Sequence, residues 1–373
     1  MDPYSQAEQS AALNSSLQCN SCGATLHFAP GTHQLKCTYC GATNEIVQEN
    51  TGPVVSVDYD SFIHSTNSLS AQRTAKVVSC KNCGASTTLL AEVNSENCTF
   101  CASPLVISDA ESKQIVRPHY ILPFAITQQQ AATNFQTWMK KLWFAPSDLP
   151  QLVSGHASQL RGIYLPHWTY DADARTEYDG QRGDYYYETE YYTETVNGRE
   201  ERRSRQVRHT RWHSVSGTVY NEFNDIFVIA SASLPHKVAK RLEPWHMQAL
   251  VHYNEQYVSG FRSELYQVSP EDGLEQAKLI MRGIIEQTIR RDIGGDEQRI
   301  EEYYDTYRNI ALKYLLLPVW ISAYKYNNKL YHFTVNASTG EVVGERPYSG
   351  TKIALLVMSI IAVVIFIIYL SKQ

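Results

Sequence analysis

Apolar positions change their period along this chain, and each change marks an element. Residues 1–16 carry no periodic apolar pattern and are expected to be a flexible N-terminus. From Leu17 to Val47, short alternating stretches, Thr25-Leu26-His27-Phe28 and His33-Gln34-Leu35-Lys36, predict a small hairpin around Pro30-Gly31. Residues 48–76 are a polar linker in which Tyr59, Phe62 and Ile63 share one helical turn able to dock. A second small unit spans residues 77–106.

From residue 116 to 347 the pattern becomes that of an α+β body. Tyr120 to Ile126 reads as a strand, and Thr127 caps a helix with Gln130 at the capping-box position. Ala131, Phe135, Trp138, Met139 and Leu142 form the apolar face of this helix, which Pro146 should end. The order then recurs. Phe261 to Val268 reads as a strand, Ser269 as an N-cap and Pro270 as the first helical residue. Leu274, Ala277, Met281, Ile284 and Ile285 form that helix's apolar face, and Gly294-Gly295 stops it. Leu165-Pro-His-Trp168 after the first helix recurs as Leu317-Pro-Val-Trp320 after the second. These read as core packing at strand starts, where proline is tolerated. A turn at Asn327-Asn328 joins the last alternating strands. The expectation is a duplicated strand–helix–strand body.

Between the copies lies a stretch with no apolar face, Asp184 to Arg211. Asn197-Gly198 is a strong two-residue hairpin signal, and it pairs Val196 with Arg199, Glu190 with Arg205 and Asp184 with Arg211. One face then carries Asp184, Tyr186, Glu188, Glu190 and Tyr192 against Arg203, Arg205 and His209. The other carries Tyr185, Tyr187 and Tyr191 with Arg202 and Arg208. A ribbon polar on both faces cannot be buried, so it should project as a protein-contact arm.

The final run, Ile353 to Leu370, is 18 residues without a charge. As a helix it reaches ~27 Å, about the hydrocarbon core of a bilayer. Lys352 and Lys372 flank it. An interfacial helix would need a charged face, which this run lacks. Residues 353–370 are therefore expected to cross the membrane once, as the anchor of a body held by its C-terminal tail.

Cysteine placement adds the candidate chemistry. All eight cysteines precede residue 102, as Cys19/Cys22, Cys37/Cys40, Cys80/Cys83 and Cys98/Cys101. Both quartets read C-x2-C-x14-C-x2-C, displaced by 61 residues. Disulfides of a secreted domain and a thioredoxin-like redox pair are the alternatives. Neither calls for the same quartet twice. The spacing predicts two tandem four-cysteine zinc ribbons, at 17–47 and 77–106, each with one structural Zn2+. Units of this size fold on the energy of the metal. Four thiolates close the tetrahedron, so the sites are structural, and His27 and His33 are surface residues. Thiolates, and an N-terminus without a secretory pattern, place the body on the cytoplasmic side of the cytoplasmic membrane.

A net charge of −5 and a pI near 6.2 argue, in bulk terms, against nucleic acid as a partner. The sequence holds no Walker loop, Gly-x-Ser-x-Gly or His-Glu-x-x-His. Ile293-Gly-Gly-Asp296 follows a helix and reads as its cap, not as a phosphate loop.

At these residues the chain resembles a bacterial membrane-anchored double zinc-ribbon family, often labelled "primosomal protein N-prime, superfamily II helicase-like" or "TFIIB-type zinc ribbon" protein. The resemblance covers nearly the whole chain. It rests on Cys19–Cys40, Cys80–Cys101, Trp143-Phe-Ala-Pro146, Tyr164-Leu-Pro-His-Trp168, Asp292 to Arg299, Leu316 to Trp320 and Thr339 to Pro347. No helicase ATP motif is present, so that activity does not transfer. What the resemblance implies is membership of an envelope-stress assembly with phage-shock-protein-A-like or SPFH partners. The expectation is then a non-enzymatic scaffold whose partners are the lipid bilayer and cytosolic or peripheral membrane proteins. The alternatives are a nucleic-acid-binding ribbon protein tethered at the membrane, serving replication or transcription, and a hydrolase whose site is assembled in space.

Overall fold

A long antiparallel pairing between the two Leu-Pro-x-Trp strands organises the protein. The computed structural model describes residues 17–48, 52–66, 72–82, 84–88, 96–98, 100, 103–105, 110–149, 151, 160–196, 199–231, 233–234, 236–327 and 329–371. The expected flexible N-terminus, the Asn197-Gly198 turn, Cys83, Cys101 and Lys372 lie outside the described residues.

In chain order, β1 (Leu26–Phe28), β2 (Gln34–Cys37) and β3 (Thr43–Glu45) form a three-stranded antiparallel sheet. β4 (Val57–Asp58) leads into α1 (Tyr59–Thr66). The docking turn expected there is this helix, and Phe62 packs edge-on against His119 and Trp168. β5 (Gln72–Ser79), β6 (Ser86–Thr88) and β9 (Glu111–Val116) make a second small sheet, and β7 (Glu96–Asn97) pairs with β8 (Pro104–Leu105). Pairing of Gln72 with Val116 makes the second unit larger than the expected 77–106.

The body contains β10 (Tyr120–Ile121), α2 (Gln128–Lys140), β11 (Arg161–Val196), β12 (Arg199–Ile229), α3 (His236–Arg241), β13 (Val251–His252) and β14 (Arg262–Ser263). It continues with α4 (Pro270–Ile293), β15 (Glu297–Tyr326), β16 (Lys329–Asn336) and β17 (Val342–Gly344). The central sheet runs β12-β11-β15-β10-β13, with β16 and β17 continuing from β15, while β14 pairs with β11. β10 and β14 are only two residues each, shorter than the expected strands; Pro123 lacks the amide that would extend the ladder after β10, and Phe124 and Phe261 stack on each other at 4.2 Å.

Both helix starts follow the local chemistry of the sequence. Thr127 and Gln130 close a capping box on α2, and Ser269 caps α4 with Pro270 at its first turn. α2 ends at Lys140, before Pro146. On α4, Leu274, Ala277, Met281, Ile285, Ile289 and Ile293 are buried, whereas Ile284 faces solvent, one residue off the stripe. Gly273 lets α4 reach the sheet, since a Cβ there would collide with the Tyr170 hydroxyl.

The two halves pair in a related way. β10 runs parallel to β15 with Tyr120 beside Leu315, and β14 runs parallel to β11 with Arg262 beside Ile163. Tyr120 and Arg262 stand 142 residues apart, as do the caps Thr127 and Ser269; Ile163 and Leu315 stand 152 apart. Leu165 lies opposite Leu317, so the two prolines sit inside strands and not at strand starts.

Side chains alternate between two buried faces. Tyr164, Trp168, Tyr170, Tyr314, Leu316 and Trp320 enter one core, with α2, α4 and the first small sheet. Ile163, Leu165, Leu315, Leu317 and Val319 enter the other, with residues of the second small unit and α3. A fully buried mixed sheet accounts for the run Leu315 to Ile321 being almost wholly apolar. At a bulge in β11, buried Lys313 pairs with Asp225 at 2.7 Å and Asp171 at 3.4 Å, and it donates to Ser56 at 2.8 Å. This cluster fastens the segment before β4 to the sheet.

The arm has the expected register, with Asp184 opposite Arg211, Glu190 opposite Arg205 and Val196 opposite Arg199. β11 and β12 extend far below it into the core, where β15 covers β11 as far as Gly183. Beyond that point the arm reaches about 40 Å and both faces meet solvent. α5 (Gly350–Ser371) closes the chain.

Candidate metal centre

Two knuckles place the first cysteine quartet. The amide of Cys19 donates to the Ala24 carbonyl and that of Cys37 to the Ala42 carbonyl, both at 2.8 Å. Each turn closes with Gly23 or Gly41 at positive φ, 73° and 77°, where a side chain would be strained. Four sulfurs converge, with Cys19 to Cys40 at 3.5 Å, Cys22 to Cys37 at 3.6 Å, and all within 4.8 Å of one another. A tetrahedral zinc with bonds of ~2.3 Å has sulfur–sulfur edges of about 3.8 Å, so the donor set fits such an ion. Cys19 and Cys37 are buried, while Cys22 and Cys40 face outward. The Cys40 amide, foremost among the groups beside it, pulls the Cys37 thiol down to about 6, whereas Cys22 in the same cluster is pushed up to about 12. The cluster can hold a metal with no open coordination position, an arrangement suited to structure and not to catalysis.

The second quartet is described at two of its four cysteines. Cys80 and Cys98 are both buried. Their backbones repeat the knuckle pattern: Cys80 donates to Ala85 at 2.8 Å, Cys98 to Ser103 at 2.7 Å, and Gly84 has φ 77°. Cys83 and Cys101 belong to the undescribed residues.

One segment of the body, residues 257–267, holds both cysteine units; its sequence predicted a strand from Phe261 on and gave no sign of this docking. The Phe28 amide donates to the Ser259 carbonyl at 3.0 Å, and the Ser259 hydroxyl donates to the Leu26 carbonyl at 2.6 Å. Phe28 meets Tyr257 edge-on at 5.2 Å, and Gln48 donates to the Tyr257 hydroxyl at 3.0 Å. His33, exposed as expected, also lies 3.2 Å from that hydroxyl. A few residues on, Thr87 bridges Glu264, the Leu265 amide donates to Ser86 at 3.0 Å, and Gln267 donates to Gly84 at 3.0 Å. Glu264 is fully buried, and Ser233 donates to its Oε1; among the described residues its Oε2 has no partner within hydrogen-bond geometry. Burial pushes this carboxyl up to about 7. A glutamate at an inward strand position between Arg262 and Leu265 was the available sequence signal.

The C-terminal helix is the second functional feature. α5 is 22 residues long, with mean hydropathy 3.2 over its best window and none of that window buried. It is long and apolar enough to be a single membrane span.

The chain is similar to "Uncharacterized protein YdjG" of Bacillus subtilis (strain 168), with 26% identity over 241 residues. That match covers 64% of this chain and 66% of the relative, so the chain spans about two thirds of the relative's length. No family model matches the chain. No solved structure matches it.

Proposed function

We propose that this protein is a non-enzymatic, membrane-anchored scaffold with two structural zinc sites. α5 anchors it to the cytoplasmic membrane, and the body lies on the cytoplasmic side, where thiolates stay reduced. The observation that carries the reading is the pairing of an unburied apolar helix with a projecting, solvent-exposed arm. Partners are cytosolic or peripheral membrane proteins, with phage-shock-protein-A-like or SPFH assemblies suggested by the family resemblance.

The arm is the contact surface in this reading. One face closes on itself through Glu190 with Arg205 at 2.9 Å and Glu194 with Arg203 at 2.9 Å. On the other face Arg202 and Arg208 stack over Tyr191 and Tyr185 at 4.5 and 4.1 Å. Tyr187 and Tyr191 remain over 60% exposed there. Exposed tyrosine beside arginine and threonine is the composition of adaptable protein-binding surfaces. The second zinc site is supported by the shared knuckle backbone at Cys80 and Cys98. An internally duplicated body is supported by the 142- and 152-residue relations of its pairings.

Affinity capture of the full chain from detergent-solubilised membranes tests this function. The native chain should retain a phage-shock-protein-A-like or SPFH partner, and Tyr187→Ser with Tyr191→Ser should lose it. A chain released from membranes by alkaline carbonate would defeat the anchor. The same tyrosine–arginine face is also a stacking platform for single-stranded nucleic acid, the runner-up reading. Steeply salt-dependent DNA binding by the native chain, lost in the same variant, would favour that alternative.

A further inference from the structure

The geometry points to a second membrane contact on the body itself: the loop after α2, with Trp143 at its tip and Lys140 and Lys141 beside it, lies on the bilayer surface and binds acidic lipid headgroups. This inference rests on reading α5 as a bilayer span.

Two hydrogen bonds fix the loop to the start of that helix. The Ser349 amide donates to the Phe144 carbonyl at 2.7 Å, and Lys352 Nζ donates to the Ala145 carbonyl at 2.8 Å. The uncharged run begins at Ile353, four residues beyond Ser349. At ~1.5 Å per residue, Ser349 stands about 6 Å outside the hydrocarbon, within the headgroup layer. Phe144 touches Ser349 there, and Trp143 is the next residue, about 3.8 Å away along the chain. The loop therefore shares the depth of the helix start.

Its chemistry matches that depth. Trp143 is 78% exposed, the most exposed tryptophan among the described residues, and Tyr348 beside the helix start is 61% exposed. Burying large indole and phenol rings so poorly is costly in water and favourable at a membrane interface. Lys140 and Lys141 are exposed, and Arg346 stacks over Tyr348 at 5.2 Å. Asp148 and Glu345 are the nearby acids in sequence, and Asp148 accepts a bond from Tyr326 at 3.2 Å. Together with Lys352, four cations face two acids, which selects acidic headgroups over neutral ones. The two rings and the cations convert a single helical tether into a surface contact that orients the body.

The test uses the full chain reconstituted into vesicles carrying phospholipid brominated near the headgroup. Trp168, Trp245 and Trp320 are buried and Trp138 and Trp212 half-buried, so the signal from Trp143, the most exposed, is the part that Trp143→Phe removes. The expected result is clear quenching in the native chain, most of it lost in Trp143→Phe. Energy transfer from Trp143 to a dansyl-labelled acidic lipid should exceed that to a neutral one a few-fold. In Lys140→Gln with Lys141→Gln, that ratio should fall towards one. A reconstituted, carbonate-resistant chain with no quenching, or with quenching unchanged in Trp143→Phe, overturns the contact. Equal transfer to both lipids in the native chain overturns its acidic preference. A chain that carbonate strips from the vesicles fails earlier, at the anchor, and takes this inference with it.

Discussion

The two cysteine units share a spacing and a knuckle backbone, yet they join the body on opposite faces of its sheet and by different means. The first enters an aromatic core: Leu26, Phe28 and Leu35 are buried together with Tyr257 and Phe261. The second meets the same body segment through backbone pairing and a buried carboxyl, Glu264, and buries Val78, Ala85, Phe100 and Leu105 against Ile163, Leu165, Leu315 and Leu317 on the other face. A repeated cysteine motif therefore says how each unit turns its chain and not how strongly each is bound to its neighbour. Apolar burial ties both units to the body, but only the first adds ring-on-ring contacts among the described residues, Phe28 with Tyr257 and Phe261. In the second, edge pairing adds little net stability to the apolar contacts, since those hydrogen bonds are exchanged with water, and without the aromatic contacts the unit is the more separable.

The sharpest way to break this comparison is to remove a cysteine from one unit at a time. Cys37→Ser should abolish the first metal site and disturb the body, read as loss of the cooperative thermal transition of the solubilised chain. Cys98→Ser should raise hydrogen exchange in β5, β6 and β9 while β11 and β15 stay protected. Equal damage from both would mean that the two units are equally integrated. Elemental analysis should find two zinc ions in the native chain and one in either variant.

A smaller effect is expected from the docking side chain alone. Phe28→Ala deletes a buried ring packed on Tyr257 and Phe261 and should cost about 3–5 kcal/mol in denaturant melts. A cost below about 1 kcal/mol would show that the first unit merely rests on the body.

Glu264 gives the second interface a pH signature. Its carboxyl titrates near 7 when folded against an ordinary 4.5, with burial as the cause. Between those values the folded state holds more protons than the unfolded one, so stability falls as pH rises through the window. Glu264→Gln imitates the protonated acid. Its stabilising effect should be larger near pH 8 than near pH 5, by about 2 kcal/mol. A pH-independent effect would remove the buried carboxyl from the account. The smallest change is Gln267→Ala, which loses one exposed bond to Gly84 and should shift stability by less than about 0.5 kcal/mol.

Much of this molecule is written locally. The caps at Thr127 and Ser269, the stop at Gly294, the arm's register and the apolar run 353–370 each follow from a few adjacent residues. So does the first sulfur cluster, because C-x2-C knuckles are turns that present thiols without help from the rest of the chain. Tertiary structure decided what distant residues do to one another. Only folding brings Leu165 opposite Leu317, buries Lys313 between Asp171 and Asp225, and seats Glu264 against Thr87. It also cut the expected strands at Tyr120 and Phe261 short, bringing Phe124 and Phe261 into a stack at 4.2 Å. The physical reason is range: turns, caps and hydropathy act over a few residues, whereas burial and pairing act through space, where sequence separation carries no information.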